Sequence, residues 1–167
     1  GALAQTDTRR LLGYLVISGI GAMLAGIAVG GAEAISGVIF YALHSMLVMT
    51  ALYLAAGLAA RLGGGFSLAA AGGLYRNHLL FTALSLMLFF SVSGLPPFSG
   101  FWPKVMLVRA AINGDASWLA AILLLSGFLT MIATGRVFLL AYWRPADAQP
   151  AVAAEPLAVT ALLPVLV

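Results

Sequence analysis

The chain has no cysteine, and only 8% of it is charged. Without cysteine there are no disulfides and no thiolate metal sites, although this says nothing about compartment. A soluble domain carries about 25% charged residues, so this chain has too few polar groups to cover a water-facing surface. Only five residues are acidic, and none lies inside a long apolar run. Positive charge is also sparse. Eight Lys and Arg produce the sequence pI of about 9.7, and they form no basic patch of the kind that binds nucleic acid. No basic n-region with an A-x-A cleavage site opens the chain, so no signal peptide is read there. A glycine-rich nucleotide loop, zinc spacing and a haem-ligand pair are all missing. Neither a cofactor nor a bound metal is therefore expected.

What remains is apolar: 63% of the residues are hydrophobic, with mean hydropathy +1.09. This points to an all-α, polytopic transmembrane helix bundle. Apolar segments run over residues 11–30, 35–60, 78–94, 103–113 and 117–143, and another begins at Leu157. They are continuous, whereas strands of an outer-membrane barrel alternate apolar and polar residues in ~10-residue pieces. The chain starts at Gly1 and its last run is short of the ~20 residues a span needs. It is accordingly read as a piece of something longer. Residues 1–145 form the membrane domain, 146–156 a Pro/Ala linker, and 157–167 the start of a further helix.

The segment 103–113 gives only about 16 Å of helix, too little for a ~30 Å hydrocarbon core. Charge decides how it is used. If 78–94 and 103–113 together make one interrupted crossing, Arg9, Arg10, Arg61, Arg76 and Arg144 share one side, and Glu33 and Asp115 take the other. That split obeys the positive-inside rule. If 103–113 crossed alone, Arg144 would move to the wrong side. The interrupted crossing is favoured, with the arginine side cytoplasmic. Gly63-Gly64-Gly65 and Gly72-Gly73 mark a flexible connection on that side.

The break itself reads Ser93-Gly-Leu-Pro-Pro-Phe-Ser-Gly-Phe-Trp-Pro-Lys104. Irregular backbone at membrane depth survives only when buried in protein or lining a wet cavity. A lysine there is costly, which makes it a functional candidate. Pro103 suits the first turn of a helix, and Lys104 then sits near mid-membrane at the positive helix end, where a proton can come and go. The competing reading is a lysine snorkelling to an interface. His44, in the middle of its segment with Tyr41 and Ser45 near its face, is a second candidate because histidine titrates near neutrality. It could equally be a neutral histidine hydrogen-bonded to a neighbouring helix.

Other residues invite quieter readings. Arg109 and Arg136 are expected to snorkel or pair. Ser126, Thr130 and Thr134 form an i, i+4 stripe that either lines a wet path or bonds back to its own helix. Ala22, Gly26 and Gly30 read as a close-packing face. Trp118, Tyr142 and Trp143 read as interface anchors, and His78 as solvated or interfacial.

Three stretches resemble a known family. Gln5-Thr-Asp-Thr-Arg-Arg-Leu-Leu-Gly-Tyr-Leu-Val-Ile-Ser looks like the Q-x-D-x-K/R-R-L-x-x-Y-S-x-I-S segment of the antiporter-like subunits found in Mrp-type Na+/H+ antiporters and in respiratory complex I. His44-Ser-Met-Leu-Val-Met-Thr-Ala-Leu-Tyr looks like their histidine-bearing helix, and Ser93–Lys104 like their G-x-P-P-x-x-G-F-x-x-K broken helix. The matches fall in family order and cover most of residues 1–145. The wording is nearest the D subunits of the Mrp type, with the N and M subunits of complex I second.

The resemblance implies two inverted repeats of five helices, each with a broken helix, and this chain as the end of the second repeat. It implies a proton relay through Lys104 and His44, with Arg9 or Arg10 standing where the family often has a lysine. Larger relatives often carry a lysine about one turn after the histidine. Val48 and Met49 occupy that region here, leaving water and His44 to bridge. The implied function is a subunit of a multisubunit Na+/H+ antiporter, a transporter rather than an enzyme. The implied partners are other membrane subunits, Na+, H+ and the lipid bilayer, with no nucleic acid. The implied location is the bacterial inner membrane. Two alternatives stand beside it: a proton-pumping subunit of an NADH-quinone oxidoreductase, and a structural membrane scaffold.

Overall fold

A computed structural model describes residues 1–63, 65–68 and 74–143. A short 3-10 turn, Ala2–Ala4, precedes α1 (Thr8–Val29), α2 (Gly31–Gly63), α3 (Leu74–Asn77), α4 (Leu79–Ser93), α5 (Phe101–Asn113) and α6 (Ser117–Val137), which runs on as a π-helical turn, Phe138–Trp143. Three helices, Thr8–Val29, Gly31–Leu62 and Ser117–Trp143, are long and apolar enough to cross a membrane. Arg144, the linker 146–156, the run 157–167, Gly64 and Gly72-Gly73 lie outside the described residues.

Local chemistry explains where the helices start and stop. Asp7 caps α1, its Oδ1 accepting from the N–H of Arg9 at 2.8 Å and of Arg10 at 3.3 Å, which occupies donors that have no intrahelical partner. Gly30 and Gly31 then turn the chain with φ of 73° and 82°, a region closed to most L-residues. Gly30 is therefore a turn residue, and the expected packing face of α1 reduces to its Gly26 portion. At that level Leu107 of α5 fills the approach between Gly26 and Gly37, and an added Cβ at Gly26 would meet Leu107 and Val38. Small residues here let helices approach closely, which matters in lipid because apolar burial itself drives little association.

α4 and α5 behave as the two pieces of one crossing. Phe89 of α4 packs in a core cluster with Leu11, Leu12, Leu52, Val137 and Tyr142, at the half of the bundle that contains Asp7. α5 packs at the other half, beside Gly26 and Gly37. At about 1.5 Å per residue the two pieces are roughly 22 and 20 Å long, so each covers part of the neighbouring α2. Helix direction places Arg9, Arg10, Arg61 and Arg76 at the Asp7 end, and Glu33 and Asp115 at the other.

The Asp7 end is tied more firmly than a glycine-rich connection suggests. Thr8 N donates to Phe66 O at 3.0 Å and Leu68 N to Thr6 O at 2.8 Å, forming an isolated bridge at Asp7 and Ser67. The Arg9 guanidinium lies 3.4 Å over the Phe66 ring, a cation–π contact. Trp143 is exposed and stacks on Tyr75 with ring centroids 4.9 Å apart. Tyr142 corrects its reading as an interface anchor. It is 2% exposed, with its ring against Phe81, Phe89 and Phe138. The π-helical turn carries this ring into the core beside its exposed neighbour Trp143.

Candidate functional site

The last turn of α4 sets up the site through its spare acceptors. A helix leaves its final four carbonyls without intrahelical partners. Here Gly94, left-handed at φ 80°, returns its N–H to Phe90 O and Ser91 O, and Leu95 N also reaches Phe90 O. The Ser93 hydroxyl donates to Phe89 O at 2.7 Å. Val92 O and Ser93 O remain, and the Lys104 ammonium takes both, at 3.0 and 2.7 Å. Lys104, in the first turns of α5 after Pro103, thus reaches back across the break to the negative end of α4. No carboxylate pairs with it among the described residues.

His44 grips the same turn from α2. Its Nδ1 lies 3.2 Å from Ser99 Oγ, which lies 3.0 Å from Ser91 Oγ. Gly100 makes this possible: a Cβ there would collide with Ser91 O and stand 2.8 Å from His44 Nε2. His44 is 9% exposed. Lys104 and His44 therefore engage the same stretch, residues 91–93, the lysine through its carbonyls and the histidine through Ser99 and the Ser91 hydroxyl.

Beside them lies a cavity of ≈ 430 Å³ lined in part by Tyr41, His44, Ser45, Lys104, Ser126 and Thr130. It has room for several waters, with these polar groups spaced along a mostly apolar wall. The α6 hydroxyl stripe bonds mainly to its own helix, with Thr130 Oγ1 donating to Ser126 O at 2.8 Å and Thr134 Oγ1 near Thr130 O at 2.9 Å. It also ties helices together: Ser126 Oγ meets Ser18 Oγ at 2.9 Å, and Thr134 Oγ1 meets Ser93 Oγ at 2.8 Å.

The four residues singled out for proton relay fall into two groups. His44 and Lys104 come together at the break. Arg9 and Arg10 lie at the Asp7 end, engaged through their backbone N–H groups with Asp7 and, for Arg9, with Phe66. Val48 and Met49 are buried in the core cluster. Arg109 pairs with Glu33 at 3.3 Å near the other end, and Arg136 donates to Leu3 O. The sequence reading missed Ser91, Ser99 and Thr134 as partners of the break: Ser99, beside Gly100, carries the ordinary signal of a turn, and Ser91 and Thr134 sit inside helices α4 and α6.

The chain is similar to known proteins. The family described as NADH:quinone oxidoreductase/Mrp antiporter, TM matches residues 1–130. The D subunit of a Na(+)/H(+) antiporter in Alkalihalophilus pseudofirmus is 36% identical over 143 residues, covering 86% of this chain and 29% of the relative. The N subunit of an NADH-quinone oxidoreductase in Xanthomonas euvesicatoria is 36% identical over 124 residues, covering 72% of this chain and 25% of the relative. In the structure of the Mrp complex from Dietzia sp. DQ12-45-1b, one chain superposes with a TM-score of 0.80 at 30% identity, over 90% of this chain and 28% of that one. The chain thus spans under a third of the length of these relatives. It is a multi-pass membrane protein and belongs to the NADH:quinone oxidoreductase/Mrp antiporter family.

Proposed function

We propose that the chain is part of an antiporter-type subunit that exchanges Na+ for H+, with Lys104 and His44 carrying the proton. The observation that supports this most is the grip of the Lys104 ammonium on Val92 O and Ser93 O at a helix break beside a cavity of ≈ 430 Å³. An intramembrane lysine is rare and expensive, and this one has donors to spare and room for water. His44 supplies a second exchangeable group on the same turn. Arg9 and Arg10 contribute fixed positive charge at one mouth of the path, at the end proposed to face the cytoplasm of a bacterial inner membrane. A carboxylate partner for Lys104 comes from the rest of the subunit or from a neighbouring subunit of a hetero-oligomeric complex.

Vesicles carrying the full complex test this. Lys104→Ala is expected to abolish Na+-driven proton movement while the complex still assembles; undiminished exchange would end the proposal. The similarity to the N subunit of an oxidoreductase supports a second reading, in which the same residues serve a redox-driven pump. Proton movement driven by NADH oxidation and indifferent to Na+ would select it.

A further inference from the structure

Two hydroxyls of α4 behave unlike the others in the bundle. Thr50, Ser93, Thr130 and Thr134 each donate to a carbonyl one turn earlier on their own helix. Thr82 and Ser85 do not. They are 2% and 1% exposed, and neither Thr82 Oγ1 nor Ser85 Oγ has a hydrogen-bond partner among the described residues. Buried hydroxyls are nearly always paired, with protein or with ordered water. The remainder of a longer subunit is no source of that partner, because this chain already encloses both atoms.

The two positions suit one water. Residues three apart on a helix stand about 5–6 Å apart at Cβ, a gap that one molecule spans with two bonds of about 2.8 Å. Tyr142 walls the place in. Its ring lies 6.0 Å from Phe81 and 6.0 Å from Phe89, centroid to centroid. Those residues stand one turn before and one turn after Ser85, so Ser85 faces the same ring. A space of ≈ 20 Å³ borders Phe89 and Tyr142 and is lined toward the Asp7 end by Thr8 and Phe66. It is about the size of a single water.

Thr82, Ser85, Phe89 and Ser93 follow one another at intervals of three, four and four, on one face of α4. Ser93 belongs to the helix break: its Oγ meets Thr134 Oγ1 at 2.8 Å, and its carbonyl holds Lys104. The face is therefore polar at both ends and closed in the middle by one phenyl ring, itself 4% exposed. From Ser85 to Ser93 is about 12 Å of helix.

We propose that Thr82 and Ser85 bind an internal water, and that this water is the Asp7-end stop of a proton path along α4 to Ser93 and Lys104, with Phe89 as its gate. This deepens the relay reading and rests on it for the part of Lys104. Protons move between hydrogen-bonded oxygens, so a dry ring in a line of hydroxyls holds the path shut. An apolar constriction of this kind gates by wetting and dewetting.

Two measurements on the complete complex test this. A high-resolution map of the wild type is expected to show water density bonded to Thr82 Oγ1 and Ser85 Oγ. In vesicles without Na+, Phe89→Ala is expected to raise the passive proton leak. Adding Thr82→Val and Ser85→Ala is expected to bring that leak down about fivefold, the weight of one hydrogen bond. These two changes remove hydroxyls without refilling the space left by the ring, so a merely structural hole would leak as before. A map without water at Thr82 and Ser85, a Phe89→Ala complex that stays tight, or a leak indifferent to the two hydroxyls would overturn the proposal. If Phe89→Ala does not assemble, the map decides. Failure of the relay reading is seen separately, as Na+-driven proton movement that survives Lys104→Ala, since the water is observed without any transport.

Discussion

The two halves of the bundle are packed by different rules. In the half that contains Asp7, large side chains interlock: Leu11, Leu12, Leu52 and Val137 are at most 1% exposed, and Tyr142 touches three phenyl rings. A cavity there measures ≈ 20 Å³. In the half that contains Glu33, glycines at 26 and 37 bring the helices together, and the cavity beside α5 reaches ≈ 430 Å³. One crossing thus combines a dense plug with a roomy chamber. The titratable pair sits where they meet, at the break between α4 and α5. The difference teaches that the break is placed by packing as well as by chemistry, since Lys104 and His44 stand at the boundary between a dense half and a roomy one.

The strongest way to break this contrast is to remove the group at the junction. Lys104→Ala leaves Val92 O and Ser93 O without a donor and is expected to stop proton movement altogether, read as loss of a pH gradient in vesicles. Next comes Gly100→Ala, whose Cβ meets the backbone of Ser91 and the His44 ring. Backbone cannot step aside as a side-chain tip can, so the cost is expected to be about 3 kcal/mol, measured as a lowered melting temperature of the detergent-solubilised complex. Tyr142→Ala probes the plug itself. Lipid supplies no strong transfer term, but a void of roughly 100 Å³ costs about 2 kcal/mol at ~24 cal/mol per Å³. The same melting experiment reads it, together with a faster passive proton leak as the seal loosens. Smallest is Glu33→Gln, which weakens the bond to Arg109. Both side chains are well exposed, at 40% and 73%, so less than about 1 kcal/mol is expected, and no change in the leak.

Much of this was legible from residue order. The long apolar runs, the break after Gly94 and the isolated Lys104 all follow from how rarely charge and irregular backbone are tolerated in lipid. The pairing of 78–94 with 103–113 followed from where five arginines stood, and the packing of Phe89 and Leu107 against opposite halves agrees with it. Tyr142 was misread because a tyrosine at the end of a transmembrane helix carries the same signal whether it faces lipid headgroups or the core. The π-helical turn that decides between them has no sequence signature. Gly30 joined a spacing of four that suggests packing, yet its neighbour Gly31 already marked a turn. The hydroxyl contacts of Ser91, Ser99 and Thr134 depend on which turns face one another across the break, and no spacing along the chain encodes that.

The grip on Lys104 has a consequence in the counting of hydrogens. An ammonium carries three, and two of them point at Val92 O and Ser93 O. The third has no acceptor among the described residues. The amine that remains still has two N–H bonds, one for each carbonyl, and its new lone pair faces where the departed proton was. On the relay reading proposed above, Lys104 would therefore discharge and recharge without releasing its hold, and the turnover of a proton would require no swing of the side chain, only the arrival of a water to take it.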